Sequence, residues 1–497
     1  MNQGTKLYRA QQVRELDRYV IEDFGIPAYE LMQRAARATF GYVQLMLPQD
    51  PGQHRILVVC GGGNNGGDGY LIAALAKTKA YAVDLVALVP EEKLQGDVLT
   101  AAREWRGNGG RILAADAVDI DAYNLIIDAI LGTGLQRPVE GAYRNIIEQI
   151  NRASCPVLAV DIPSGLHADT GSVMGIAVKA KATVSFIGLK QGLFTGQAVD
   201  YCGKVYYEAL DVPAGVFDKQ ISSAEIITED SLGTVLSPRR RNTHKGNFGH
   251  LLIIGGDTGM AGAVTMAGIA ALRCGAGLVS IATRKEHATL PVTYHPELMC
   301  HGIERAQELT ALLEKATVVA VGPGLGQSAW AKSLFAKVLD SALPLIVDAD
   351  ALNLLARDPV SRSHWVLTPH PGEAARLLGM NTPAVQADRF AAAQALCRQY
   401  AGHIVLKGAG TLIASHDSQT LAVCTAGNPG MASGGMGDVL TGVIAGIAAQ
   451  TGDLAIAARS GVCLHAQAAD QAAAQDGERG LLATDLLPFI RRLANPV

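Results

Sequence analysis

Short, nearly unbroken apolar runs recur along the chain. Each ends in a polar or glycine-rich stretch and is followed by a longer segment of helical character. In the first half the runs fall at 55–60, 82–89, 124–128, 156–161 and 183–187. They do not alternate apolar with polar, which is how parallel strands covered on both faces read. Residues 11–46 precede them with helical spacing, broken at Gly25-Ile26-Pro27. The pattern then restarts, with runs at 250–254, 278–281, 317–321, 344–348, 365–367 and 403–406. Between the two series lies 212–242, which holds polar residues and the basic cluster Arg239-Arg240-Arg241. Alternating strands and helices predict an α/β chain of two three-layer αβα domains. The division falls near residue 225, giving 1–225 and 226–497.

Composition narrows this picture. A chain of 497 residues with 49% hydrophobic content can bury a large core in each half. Aromatics are only 5% while glycines number 55, a mix that suits helices and loops brought close to strand ends. The net charge of −4 and the lack of a basic stripe exclude nucleic acid as a partner. The eight cysteines are scattered without a C-x-x-C pair, as in reduced thiols of a cytoplasmic protein. There is no H-E-x-x-H or Cys/His cluster to suggest zinc. The N-terminal residues lack a signal-like apolar core, and no apolar run reaches membrane-spanning length.

The chemistry gathers where strands end, because ligands of open α/β sheets bind beyond the carboxyl ends of strands. The run at 55–60 leads into Gly61-Gly62-Gly63-Asn64-Asn65-Gly66-Gly67-Asp68-Gly69. Its glycines let backbone N–H groups approach an anion at a helix start. It is neither the G-x-G-x-x-G fingerprint nor a Walker A loop, and a tight turn without a ligand would read the same way. The next strand ends in Asp128, followed by Leu131-Gly132-Thr133-Gly134-Leu135-Gln136-Arg137-Pro138. A third loop is Asp161-Ile162-Pro163-Ser164-Gly165. Alone, Asp128 or Asp161 reads equally well as a loop cap; three such loops converging on one crevice read as a site.

Together, these three loops resemble the NAD(P)HX epimerase family over about residues 1–220. The resemblance implies a Rossmann-like fold and a substrate that is a nicotinamide cofactor whose reduced ring has taken up water. It also implies potassium held by Asn65, Asp128 and Ser164. Substrate contacts would come from Asn64, Asn65, Gly66, Gly67 and Asp68, from Gly132, Thr133, Gly134, Leu135, Gln136, Arg137 and Pro138, and from Asp161. The ring nitrogen can expel the neighbouring hydroxyl, and water can re-add on the other face. A carboxylate is needed to move the protons, and Asp161 is the candidate.

In the second half, Gly427-Asn428-Pro429-Gly430-Met431-Ala432-Ser433-Gly434-Gly435-Met436-Gly437-Asp438 precedes an apolar helix. Small residues leave successive N–H groups free for phosphate oxygens, and an aspartate there can take a proton from an attacking hydroxyl. This loop resembles the ribokinase-like superfamily. The segments 242–250, 253–256, 322–326, 348–352, 368–373 and 407–411 accompany it in order. The set resembles the ADP-dependent NAD(P)HX dehydratases over about 230–497, whose bacterial members use ADP and eukaryotic ones ATP. By that resemblance Lys407, Gly408, Ala409, Gly410, Thr411 and Gly437 hold ADP. Ala263, Gly324, Gly326, His370 and Asp438 face the hydrated cofactor, with Asp438 as the catalytic base. Each also has a plainer reading: His370 as the residue that orders a proline turn, Lys407 as a surface charge, Glu373 as a helix cap or a group organising Mg2+ through water.

The implied activity is repair of hydrated NADH and NADPH: the first half interconverts R and S forms, and the second dehydrates S with ADP. A homo-oligomer is expected from the resemblance alone. Two other readings stay open at this point: a ribokinase-like small-molecule kinase with a regulatory N-terminal domain, and a nucleotide sensor without catalysis in the first half.

Overall fold

The apolar runs become buried strands. The computed structural model describes residues 3–48 and 50–495, in two units, Met1–Glu225 and Ile226–Val497. In the first unit the strands are β1 (Lys6–Tyr8), β2 (Arg55–Cys60), β3 (Ala82–Ala87), β4 (Ile112–Leu113), β5 (Leu125–Ala129), β6 (Val157–Val160), β7 (Ala182–Phe186), β8 (Leu189–Lys190), β9 (Lys204–Glu208) and β10 (Ala224–Ile226). Seven of them form a sheet in the order β4-β3-β2-β5-β6-β7-β9, with every neighbour pair parallel. β1 pairs in parallel with β8 and antiparallel with β10.

Alternate residues of β2 enter different cores, which makes three layers. Ile56, Val58 and Cys60 pack with helices Ala10–Glu22, Ala28–Met46, Asn64–Thr78 and Gly96–Gly107. Leu57 and Val59 pack with Ile146, Ile147 and Ile150 of Gly141–Ile150. Burial on both faces is the reason these runs are apolar without alternation. The chain order reverses between β2 and β5. The loops leaving those strands therefore part in opposite directions and open a crevice. The loop after β2 can turn there only because side chains are absent: a Cβ on Gly61 would lie 1.9 Å from the Ile130 carbonyl oxygen.

The second unit carries β11 (His250–Ile254), β12 (Leu278–Thr283), β13 (Met299–Gly302), β14 (Val318–Val321), β15 (Leu345–Val347), β16 (Trp365–Leu367), β17 (His403–Leu406), β18 (Thr411–Ser415) and β19 (Leu421–Cys424). Their order is β13-β12-β11-β14-β15-β16-β17-β18-β19. The pairs from β13 to β17 are parallel, and β17-β18 and β18-β19 are antiparallel. One core joins the sheet to helices Ala261–Cys274, Met436–Thr451, Leu454–Asp476 and Leu486–Leu493. Helices Ala329–Leu339, Ala349–Arg357, Pro371–Leu378 and Arg389–Tyr400 bury Leu334, Leu352, Leu377 and Leu396. Order again reverses between β11 and β14, where the loops at 255–256 and 322–326 leave the sheet, and the loops at 348–352, 368–373 and 407–411 follow the next strands β15, β16 and β17. The β18 and β19 hairpin and the edge strands β9 and β13 are not anticipated by the apolar runs. The side chains of β9 and β13 are at most half buried, so their apolar pattern is weak, whereas β18 and β19 are short but mostly buried. Among the described residues no helix is long and apolar enough to cross a membrane.

Candidate functional site

In the first unit two neighbouring clusters form at the strand ends. The first joins Asn65, Asp128 and Ser164, all buried. The Ser164 hydroxyl donates to Asp128 Oδ1 at 2.6 Å and its backbone N–H to Oδ2 at 2.8 Å. The Leu131 N–H donates to Ser164 Oγ at 2.8 Å, and Asn65 Nδ2 donates to the Leu131 carbonyl at 3.1 Å. Asn65 Oδ1 is buried with no hydrogen-bond partner. Burial pushes the Asp128 carboxyl up to about 6, against the lowering effect of the bonds from Ser164 and Ile130. An unpartnered amide oxygen, a buried carboxylate and a hydroxyl make an oxygen-lined seat short of positive charge. That donor set fits a hard monovalent cation.

The second cluster surrounds Asp161. Its residue adopts φ 66°, rare for a side chain other than glycine. The Ile162 N–H donates across it to the Val160 carbonyl at 2.8 Å, a strained three-residue turn. Asp161 Oδ1 accepts from the Phe186 N–H at 3.2 Å and from the ammonium of buried Lys190. Asp68 and Asp17 share this field. Burial, then the charges of Asp161 and Asp17, hold the Asp68 carboxyl well above its ordinary value. Burial likewise raises Asp17 to about 6, against the pull of Lys190. Gly134, Gln136, Arg137 and Pro138 lie exposed in the surrounding loop with Thr133 and Leu135 half-buried among them, and Asn64 is exposed at the start of its helix. Gly66 is pressed on Gly61 and Gly67 on Met32, so both act through backbone shape. Gly132 lies against Asn65.

In the second unit the loops after β15, β16 and β17 meet the first turn of Met436–Thr451. Lys407 Nζ stands 2.9 Å from Asp348 Oδ1 and 3.9 Å from Glu373 Oε2. Thr441 Oγ1 donates to Asp348 Oδ2 at 2.8 Å. Burial opposes the Asp348 charge, but Lys407 and these hydrogen bonds outweigh it and hold the carboxyl below its ordinary value. The same burial wins at two neighbours. Asp438 is pushed up to about 7, helped by the charge on Asp348, and Glu373 to about 7 despite Lys407. His370 accepts from the Gly372 N–H at Nδ1, 3.0 Å, while Glu373 accepts from the His370 N–H at 2.8 Å, a reciprocal helix cap. Burial, then Lys407, lowers the imidazole value. Gly437 faces the same cluster, with Lys407 Nζ and Asp348 Oδ2 within 3.6 Å of where its Cβ would stand.

The stretch 407–411 divides. The Lys407 side chain turns into the cluster, while Gly408 and Ala409 are exposed in the turn between β17 and β18. Thr411 donates to the Gly408 carbonyl at 2.9 Å, and buried Arg389 donates to the carbonyls of Leu406, Lys407 and Gly410. Gly324 packs on Met260 and Ala263, and the Gly326 N–H donates to Asp350 Oδ2 at 2.9 Å. The glycine loop before Met436 is tied to the next helix, where Asp470 accepts from the Gly427 N–H at 2.8 Å and from Asn428 Nδ2 at 2.9 Å.

Arg389, Asp470, Lys190 and Asp17 carry much of this geometry without having been singled out from the sequence, and Asp348 is named there only as the start of the segment 348–352, with no role of its own. Asp348 had a signal: it ends an apolar strand as Asp128 does. Lys190 is a lone cation directly after the apolar stretch 186–189. Nothing local marks Asp17, Arg389 or Asp470.

Comparison with known proteins matches residues 28–192 to the family described as YjeF-related protein N-terminus, and residues 251–492 to NAD(P)H-hydrate dehydratase. The bifunctional NAD(P)H-hydrate repair enzyme of Coxiella burnetii is 48% identical over 492 residues, covering 99% of this chain and 100% of that protein. The chain belongs to the bifunctional NAD(P)H-hydrate repair enzymes. That of Escherichia coli is 44% identical, over 99% of this chain and 94% of its own. A solved ribokinase-like superfamily protein from Enterococcus faecalis is 31% identical with a TM-score of 0.51, covering 56% of this chain and 99% of that one. The repair-enzyme family thus spans both units: the dehydratase match lies in the second and the N-terminal match in the first. Full-length membership displaces the readings as a small-molecule kinase or a non-catalytic sensor.

Proposed function

We propose that the second unit dehydrates the S form of hydrated NADH and NADPH with ADP, and that the first interconverts the R and S forms. The observation that carries this is Asp438: a carboxyl lifted to about 7, in the first turn of a helix entered through Gly434 and Gly435, beside Lys407 and Asp348. Hydroxide is a poor leaving group. Asp438 takes the proton of the ring hydroxyl, whose oxygen attacks the terminal phosphorus of ADP and releases AMP. The first-turn N–H groups receive the charge on the phosphoryl oxygens. Phosphate then leaves carbon 6 with the bonding electrons, pushed by the ring nitrogen lone pair. Loss of a proton from the adjacent ring carbon restores reduced nicotinamide.

In this reading Lys407 and the turn 408–411 face the nucleotide, and Ala263, Gly324, Gly326 and His370 border the ring. Among the described residues no three His, Cys, Asp or Glu side chains converge as a metal seat. Mg2+ would accompany the nucleotide phosphates, where it would neutralise their charge, and Glu373 would contact it through water. In the first unit Asn65, Asp128 and Ser164 would hold K+, which supplies positive charge beside the Asp161 loop. Asp161 moves the proton as hydroxide leaves carbon 6 and water returns on the other face. All eight cysteines are unpaired, which supports a reducing, cytoplasmic location; assembly as a homo-oligomer follows the resemblance.

The test is recovery of NADH absorbance from hydrated NADH on adding ADP. Asp438→Ala should slow dehydration by about 10²–10⁴-fold, the range of a lost proton-transfer group, while R–S interconversion continues. Absent nucleotide-dependent recovery, or loss of both activities together, would refute the assignment.

A further inference from the structure

Lys190 is 1% exposed. A buried ammonium is tolerated only when it is paired and its donors are used. Here its acceptors are Asp161 Oδ1, the Ser185 hydroxyl at 3.2 Å and the Phe186 carbonyl at 3.2 Å, as many as an ammonium has donors. The bonds on the acid are one-sided. Oδ1 accepts from Lys190, from the Phe186 N–H at 3.2 Å and from the Ser185 hydroxyl at 3.5 Å. No hydrogen bond from a described residue reaches Oδ2, although the side chain remains 18% exposed.

The backbone on both sides is held in matching strain. Asp161 at φ 66° and Ile187 at φ 58° each sit at the centre of a tight turn, closed by Ile162 N–H to Val160 at 2.8 Å and by Gly188 N–H to Phe186 at 2.6 Å. Such turns persist only where their surroundings over-determine them. They point the end of β6 and the link from β7 to β8 at the same ion pair. The pair thus uses one carboxylate oxygen fully and leaves Oδ2 without a protein donor on a side chain that solvent still reaches.

We propose that Lys190 is a positioning residue for R–S interconversion: it fixes the Asp161 carboxylate through Oδ1 and leaves Oδ2 as the oxygen presented to the hydrated ring. The proposal rests on Asp161 being the proton-transfer group. Without the ammonium, Asp161 is held only by the longer bonds from the Phe186 N–H and the Ser185 hydroxyl while it faces the charges of Asp17 and Asp68, so the reacting oxygen is misplaced while the substrate's other contacts remain.

The experiment uses the full chain and purified R-form hydrated NADH without nucleotide, following the S form by chromatography. Lys190→Met keeps the chain length and removes the charge; its kcat should fall by about 10²-fold, the scale of a reacting group misplaced by an ångström, with KM unchanged. Asp161→Asn should be inactive, as loss of the proton-transfer group requires. Circular dichroism checks the fold. Should Lys190→Met fail to fold, Lys190→Arg keeps the charge but meets the carboxylate with a planar fork, and should lower kcat with KM unchanged. Parental kcat in a folded Lys190 variant, or a loss carried by KM alone, overturns the proposal. Full activity of Asp161→Asn would instead remove the role of Asp161 itself.

Discussion

Replacing Lys407 by methionine should destabilise the second unit far more than losing a surface charge would. The ammonium is 2.9 Å from Asp348 Oδ1, and the two side chains are 20% and 2% exposed. At that distance Coulomb's law gives roughly 6 kcal/mol for an effective dielectric of about 20. Removing one partner of a buried pair typically costs about 3–5 kcal/mol. The lower range applies here, because Asp348 keeps its bond from Thr441 and can take up a proton. The pH matters through both partners. The Asp348 value is depressed, so its contribution is present above about 4 and is lost only as pH falls through its folded value. The Lys407 value is raised, so its contribution is present below about 10.4 and is lost as pH rises through its folded value. At pH 8 the pair contributes in full. Urea unfolding at pH 8 can be followed by Trp330 and Trp365, both of the second unit and both buried. Lys407→Met should lose about 3–5 kcal/mol, and adding Asp348→Asn should recover most of it by removing the orphaned charge. A loss below about 1 kcal/mol, as for an exposed pair, or a double variant no more stable than the single, would refute the reasoning.

Three further outcomes follow from the same unit. Asp438 and Glu373 are both raised to about 7, so kcat/KM for dehydration should climb as pH rises through about 7 and the base ionises; a flat profile from about pH 5 to 9 would exclude Asp438 as the base. Their sign for stability is the reverse of Asp348: the folded state holds more protons than the unfolded between about 4 and 7, so stability falls across that window, and Asp438→Asn should lessen the fall. Gly442→Ala would put a Cβ 2.1 Å from the Ala267 carbonyl oxygen and force apart helices Met436–Thr451 and Ala261–Cys274. Thermal unfolding should show a loss of about 1–3 kcal/mol, the usual cost of overpacking; an unchanged transition would mean that the helices separate freely.

The strands buried on both faces were readable from the unbroken apolar runs alone, because a residue with no solvent side has no reason to be polar. The glycine loops were readable for a related reason: a Cβ at Gly61 has nowhere to go. Asp128, Asp161 and Asp438 could be picked out because each stands where a strand or glycine loop ends. What sequence could not decide was the company these groups keep. Lys190 meets Asp161 across 29 residues, Lys407 meets Asp348 across 59, and Thr441 meets Asp348 across 93. Strand order, not spacing, makes those meetings. The exposed ends of 132–138 and the turn at 408–409 show the converse, since a motif on a loop need not bring all its side chains to the centre. Asp348, Asp438 and Glu373 are carboxylic acids of ordinary strength in the unfolded chain. Only the tertiary structure sends the first below its usual value and the other two up to about 7, because burial disfavours charge on all three and Lys407 is close enough to overcome it for just one.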